Sequence, residues 1–172
     1  MDDAGPEVRL ALMTLYLAAT QLRIPIGIAA FGADSDDDEA ALTFPIAPLS
    51  SAASEAAKAL IAGYSGQTNN EFLDWGLRLA ESELASRPER RKFIVVTTDG
   101  QPVYSGARGD DWELSLAHLT RLEAQGIVPI GIYLGQDSGD IEKLNRLFMQ
   151  LIVTAPPQLP ERLGDVLRAL AG

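Results

Sequence analysis

The sequence predicts an α/β fold, a mostly parallel sheet with helices on both faces, and three observations carry that expectation. Apolar runs of strand length at 24–31, 93–98 and 127–134 alternate with longer segments of helical character. The run Phe93-Ile94-Val95-Val96-Thr97-Thr98 is apolar on both of its faces, as a parallel strand covered by helices must be. It breaks at Asp99-Gly100-Gln101-Pro102, a sharp turn. In open parallel sheets, ligands collect outside the carboxyl ends of the strands, where Thr98 and Asp99 fall. An aspartate before glycine also starts turns unaided, so Asp99 carries a structural reading beside the functional one.

The other elements follow in order. Pro6 and Glu7 suit the first turn of a helix running to about Gln21, apolar almost all round and therefore buried. Ile24 to Phe31 is a strand with Pro25 near its start, where a missing donor is tolerated. Asp34-Ser35-Asp36-Asp37-Asp38-Glu39 is an acidic loop without EF-hand spacing, best read as a solvated tip. Ala41 to Ile46 reads as a short edge strand ended by Pro45 and Pro48, and Ser51 to Ala62 as an Ala-rich helix. Gly63 to Asn70 is a Gly- and Asn-rich turn, with Thr68 and the asparagines in N-cap positions, before a helix over 71–86. After the 93–98 strand and a loop at 104–109, Asp110 and Glu113 open a helix to Gln125. The 127–134 strand, a helix at 141–148, a small strand at 151–153 and a last helix opened by Pro160 complete the chain.

Composition bounds the function. A chain of 172 residues with no internal repeat and no long linker suits one domain, 1–172. With 47% apolar and 22% charged residues the balance is that of a folded chain. A net charge of -10 argues against nucleic acid, whose phosphates need clustered Lys and Arg, and is compatible with a divalent cation or a basic protein surface. The absence of cysteine excludes disulfides, thiolate metal sites and cysteine nucleophiles. The apolar stretch Leu10 to Leu22 follows an acidic leader and is shorter than the ~20 residues a membrane span needs. It reads as a buried helix in a cytoplasmic protein with no membrane partner.

Three features then coincide: a strand ending Thr-Thr-Asp-Gly-Gln-Pro, an upstream Ser-Gly-Gln-Thr-Asn turn before a helix, and an earlier strand ending in Phe31. Together they resemble a von Willebrand factor A-type (VWA) domain, a Rossmann-like fold. The resemblance implies a metal-ion-dependent adhesion site, with Thr68 as the ligand of its second loop and Asp99 as the ligand of its third. Hard oxygen donors of this kind suit Mg²⁺, which keeps waters and leaves a position for a partner's carboxylate. The tail from Leu151 to Leu163 is similar to the end of bacterial VWA domains in metal-chelatase and nitric-oxide-reductase-activation proteins, which work with AAA+ ATPases. The resemblance therefore implies a protein-interaction module, not an enzyme, with an AAA+ ATPase as the partner class.

One part of the pattern is missing. No Asp-x-Ser-x-Ser loop precedes the first helix, and the separation of Met1 from Phe31 matches that between the motif's own Met and the end of the family's second strand. The resemblance thus implies that the first, central strand is lacking, as in a fragment or a chain read from a late start. It also implies weak or absent ion binding, and a sheet that needs another chain or segment to complete it. Asp2 and Asp3 read as leader residues rather than substitute ligands. Two alternatives remain open. One is a haloacid-dehalogenase-like phosphohydrolase, faintly suggested by Asp34-Ser35-Asp36 with Thr97-Thr98, although position 38 is Asp where that family has Thr. The other is a metal-independent VWA scaffold. Arg108-Gly109-Asp110 is a chance tripeptide, His118 lacks a triad context, and Trp75 and Trp112 read as packing residues.

Overall fold

A computed structural model describes residues 5–33, 41–64, 73–100 and 112–171. The elements are α1 (Gly5–Gln21), β1 (Ile26–Ala33), β2 (Ala41–Ser50), α2 (Glu55–Gly63), α3 (Leu73–Ala85), β3 (Lys92–Thr98), α4 (Trp112–Ala124), β4 (Ile127–Tyr133), α5 (Ser138–Leu147), β5 (Gln150–Val153) and α6 (Leu159–Ala171). A short 3₁₀ turn, Pro156–Gln158, leads into α6. The α/β class is as the sequence predicts. The chain folds as two compact units, one drawn from Met1–Ala30, Phe44–Gln67 and Thr154–Gly172, the other from Phe31–Thr43 and Thr68–Val153. No helix among the described residues is long and apolar enough to cross a membrane.

The first unit is built around α1. One side of α1 packs against α6 and α2, and Tyr16, Ile28, Ala30, Ile46, Ala47, Ala57 and Ile61 form the buried cluster. Leu10, 61% exposed, and Leu17 lie outside it, so the helix expected to be buried all round is buried along a stripe through Val8, Ala11, Tyr16 and Ala19. Tyr16 is 2% exposed, and its hydroxyl accepts a 2.8 Å bond from the Ser54 amide. Ser54 in turn caps α2 by accepting from the Ala57 amide, so this helix starts later than the Ala-rich composition at Ser51 suggests. The end of α1 is closed by bonds from Arg23 N to Thr20 O and from Ile24 N to Ala19 O, with Arg23 at φ 57°. That left-handed position is one which glycine normally fills. β1 pairs with β2, and β2 extends to Ser50, through the prolines expected to end it. Having a partner on one side only, it needs fewer backbone donors than a central strand.

The second unit is a three-stranded sheet, β3-β4-β5, parallel throughout. In β3 the residues Ile94, Val96 and Thr98 are buried on one face, while Phe93, Val95 and Thr97 are half-buried on the other. Leu73 and Leu77 of α3, Leu119 and Leu122 of α4, and Leu144 and Leu147 of α5 join Ile94 and Val96 in one core. Pro129 lies inside the middle strand and is nonetheless accommodated. The bond from Leu134 N to Thr98 O makes even-numbered β4 residues face β3, so Pro129 faces β5. The β5 ladder begins only at Ile130, so no partner waits for the donor that Pro129 lacks.

Of the three strands expected to be mutually parallel, β3 and β4 are so paired, whereas β1 belongs to a different sheet. Periodicity identifies each as a strand, and the separation of β1 from β3 is the incomplete sheet that the resemblance implies, its central strand lacking.

Candidate functional site

The carboxyl end of β3 is shaped by Thr98. Its carbonyl accepts from the Leu134 amide at 2.9 Å, which ties the end of β3 to the end of β4. Its hydroxyl donates to Gly100 O at 3.0 Å and accepts from Gly100 N at 3.2 Å. Thr98 is 2% exposed, so this hydroxyl closes the Asp-Gly turn from inside. Asp99 is half-buried at the turn itself, immediately past the strand. A Cβ built on Gly100 would meet nothing within 4 Å, so the space before the turn is open on that side among the described residues.

The adjacent end of β4 carries further oxygen chemistry. The Tyr133 hydroxyl donates to Asp140 Oδ2 at 2.9 Å. Burial, followed by the bond to Asp140 and its charge, raises the Tyr133 pKa above the usual phenol value. Asp137 accepts from the amides of Gly139 and Asp140 and so caps α5. These carboxylates are committed to folding the β4–α5 turn. Asp74, fully buried in the first turn of α3, lies where a carboxylate complements the helix dipole, with the Arg78 guanidinium 3.5 Å away.

Of the two residues expected to hold a cation, Asp99 is where the sequence puts it, and Thr68 lies outside the described residues. So do Asp2, Asp3, Asp34, Asp36 and the Arg108-Gly109-Asp110 tripeptide. No group of three His, Asp or Glu side chains that could hold a metal converges among the described residues. A hard cation takes about six oxygen ligands, so the described donors do not by themselves fit one.

Sequence reasoning missed one polar cluster. On α3, Glu81 Oε2 lies 3.2 Å from His118 Nε2 and accepts from Arg121 at 2.8 Å, while Oε1 accepts from Gln125 at 2.9 Å. Facing an ionised carboxylate, His118 Nε2 must be the protonated nitrogen. Burial is the largest influence on His118 and lowers its pKa, the bond to Glu81 opposing and the Arg121 charge assisting. For Glu81, burial raises the pKa, but the bonds from Gln125, Arg121 and His118 outweigh it and the carboxyl ends below its usual value. The spacing of His118 and Arg121 on one face of α4, with Gln125 just past its end, is visible in the sequence; their common partner on α3 is not. The cluster is an interhelical clamp. Trp75 differs from its expected packing role, being 41% exposed on α3.

With this geometry in view, solved structures supply a fold. The pilus adhesin SpaC of Lactobacillus rhamnosus GG matches 97% of this chain at a TM-score of 0.72 and 12% identity, and the chain spans 28% of that protein's length. The SpRpn10 VWA domain matches 94% at 0.63 and 15% identity, with 82% of that domain covered. The vWF domain of the type V pili tip protein Mfa5 from Porphyromonas gingivalis matches 97% at 0.64 and 10% identity, with 86% covered. No protein-family model matches the sequence, and neither does any curated protein. The fold is that of a VWA-type domain.

Proposed function

We propose that this chain is a protein-interaction module of VWA type that engages a protein partner at the carboxyl end of β3, through Asp99. One observation carries the reading. In a chain with this fold, a half-buried carboxylate directly follows an apolar parallel strand, at the sheet end where ligands bind. Asp99 and Thr68 are the residues that would hold a Mg²⁺ ion, which would supply hard-cation chemistry toward a partner's carboxylate. The tail's resemblance to chelatase-type domains makes an AAA+ ATPase the partner class to test first. No catalytic step is assigned to the chain.

A metal-independent scaffold is the second reading, favoured by the lack of converging acidic or histidine donors among the described residues. Binding to a purified AAA+ ATPase, measured with Mg²⁺ and with chelator, separates the two. The first reading expects binding that chelator and Asp99→Ala both abolish. Binding indifferent to both treatments supports the scaffold, and no binding under any condition removes the AAA+ partner. Calorimetric titration of the chain with Mg²⁺ or Mn²⁺ alone is expected to show no binding at micromolar concentration, because two oxygen ligands fall far short of about six.

A further inference from the structure

We propose that the amino end of the β3-β4-β5 sheet carries a second docking surface, at which Arg90 and Arg91 bind the carboxylates of an acidic, extended segment of a protein partner. It goes beyond the Asp99 reading, because it lies at the opposite end of β3 and needs neither that carboxylate nor a cation. β3 runs from Lys92 to Thr98, so its two ends are roughly 20 Å apart at ~3.3 Å per residue. That is about twice the ~10 Å Debye length of a dilute salt buffer, and the two ends act separately.

With 24 acidic and 14 basic residues in the chain, a base readily finds an acid. Arg78 does so on Asp74, Arg121 on Glu81, Arg146 on Glu142, and Arg162 and Arg168 on Asp165. The turn before β3 is different. Arg90, Arg91 and Lys92 are consecutive there, and both arginines are exposed, with no ion pair among the described residues. Glu89 is the one carboxylate between Ser86 and Lys92, and the Arg87 guanidinium occupies both of its oxygens, at 3.1 and 2.5 Å. Two positive charges without an internal partner are left facing water.

These charges are also held in place. The Arg91 guanidinium lies 5.8 Å from the centre of the Phe93 ring, which fixes it against the strand. Pro88 on one side and the first residues of β3 on the other restrict the backbone between them. A guanidinium already positioned loses less freedom when its planar fork grips a carboxylate.

The neighbouring turns define the rest of the occupant, and all belong to the second unit. Lys92 pairs with Ile127, so the uncharged Gln125-Gly126 turn lies beside the arginines. A Cβ on Gly126 would meet nothing within 4 Å, so nothing among the described residues walls this side off. Met149, 82% exposed, precedes β5 at the same end of the sheet and offers an adaptable apolar contact. Two strand spacings and the later start of β5 put it roughly 12 Å from Lys92, a span of about four extended residues. The matching segment is acidic at one end and carries a large apolar side chain three or four residues away. A nucleic acid fits worse, because a net charge of -10 repels the phosphates that the short patch does not reach.

The probe is the fluorescein-labelled peptide Glu-Asp-Glu-Gly-Ser-Leu-amide, titrated against the 172-residue chain by fluorescence anisotropy at low salt. Saturable binding is expected, about tenfold weaker in the Arg90→Glu/Arg91→Glu variant, which changes only exposed side chains. Arg162→Glu/Arg168→Glu alters net charge equally at exposed positions and should keep the affinity within about twofold. Exchanging the peptide's leucine for serine should weaken binding about threefold to the unaltered chain and not at all to Met149→Ser. Chelator should leave the peptide affinity unchanged, so this surface and the Asp99 site stand or fall separately. The proposal is overturned if the peptide does not bind, if both arginine pairs lose affinity equally, or if the leucine matters as much without Met149. It is equally overturned if vesicles of phosphatidylcholine and phosphatidylserine bind through Arg90 and Arg91 where the peptide does not.

Discussion

The two outer strands of the second unit end the same sheet in different ways. β5 is four residues long, begins with Gln150, and is preceded by Met149 at 82% exposure. Shortness limits what can pair with it. Its packing is nonetheless closely fitted, for the ring of Phe148, 1% exposed, occupies the space that a Cβ on Gly131 of β4 would need. β3 is longer, uncharged past Lys92 and without Gly or Pro. Among the described residues, β5 finishes one side of this sheet and β3 has a ladder on one side only.

That contrast is broken most strongly from the β5 side. Phe148→Ala removes the ring from the core and should destabilise by about 3–5 kcal/mol in urea unfolding. Gly131→Ala attacks the same fit from below, with contacts of 2.7 Å to the ring and 3.0 Å to Leu151 Cδ1, and should cost about 1–3 kcal/mol. If both prove neutral, β5 is not anchored as described.

A third test concerns the clamp behind the sheet. His118 has a lowered pKa in the folded chain, so below about pH 6.5 the unfolded chain takes up a proton that the folded one resists. Stability should fall as pH drops through 6.5 toward that lowered value. Glu81, also lowered, adds stability that is present above its usual 4.5 and is lost below it. Melting temperature measured against pH should therefore decline in two stages, and His118→Gln should erase the first. The smallest effect is expected at the exposed face of β5, where Val153→Thr should change stability by less than about 0.5 kcal/mol.

What could be read in advance follows from the range of each signal. β3 and its break at Asp99 were legible because strand character and the Asp-Gly turn are local. β2 was read too short, since a proline's effect depends on which side of the strand has a partner. The separation of β1 from β3 into different sheets is not a property of either segment, and it was legible only through the missing central strand that the resemblance implies. In the site, Asp99 was visible from its place after a strand, whereas the Thr98 hydroxyl spent on Gly100 was not. The Glu81 clamp escaped because its partners are 37, 40 and 44 residues away along the chain.

The account turns on whether the outer side of β3 is open in the chain by itself, and amide hydrogen exchange at single-residue resolution answers that directly. Ile94, Val96 and Thr98, bonded toward β4, should exchange at least ~100-fold more slowly than Phe93, Val95 and Thr97, which face outward. Equal, strong protection of all six amides in the chain without a partner would mean that it already pairs this edge, and would contradict the account.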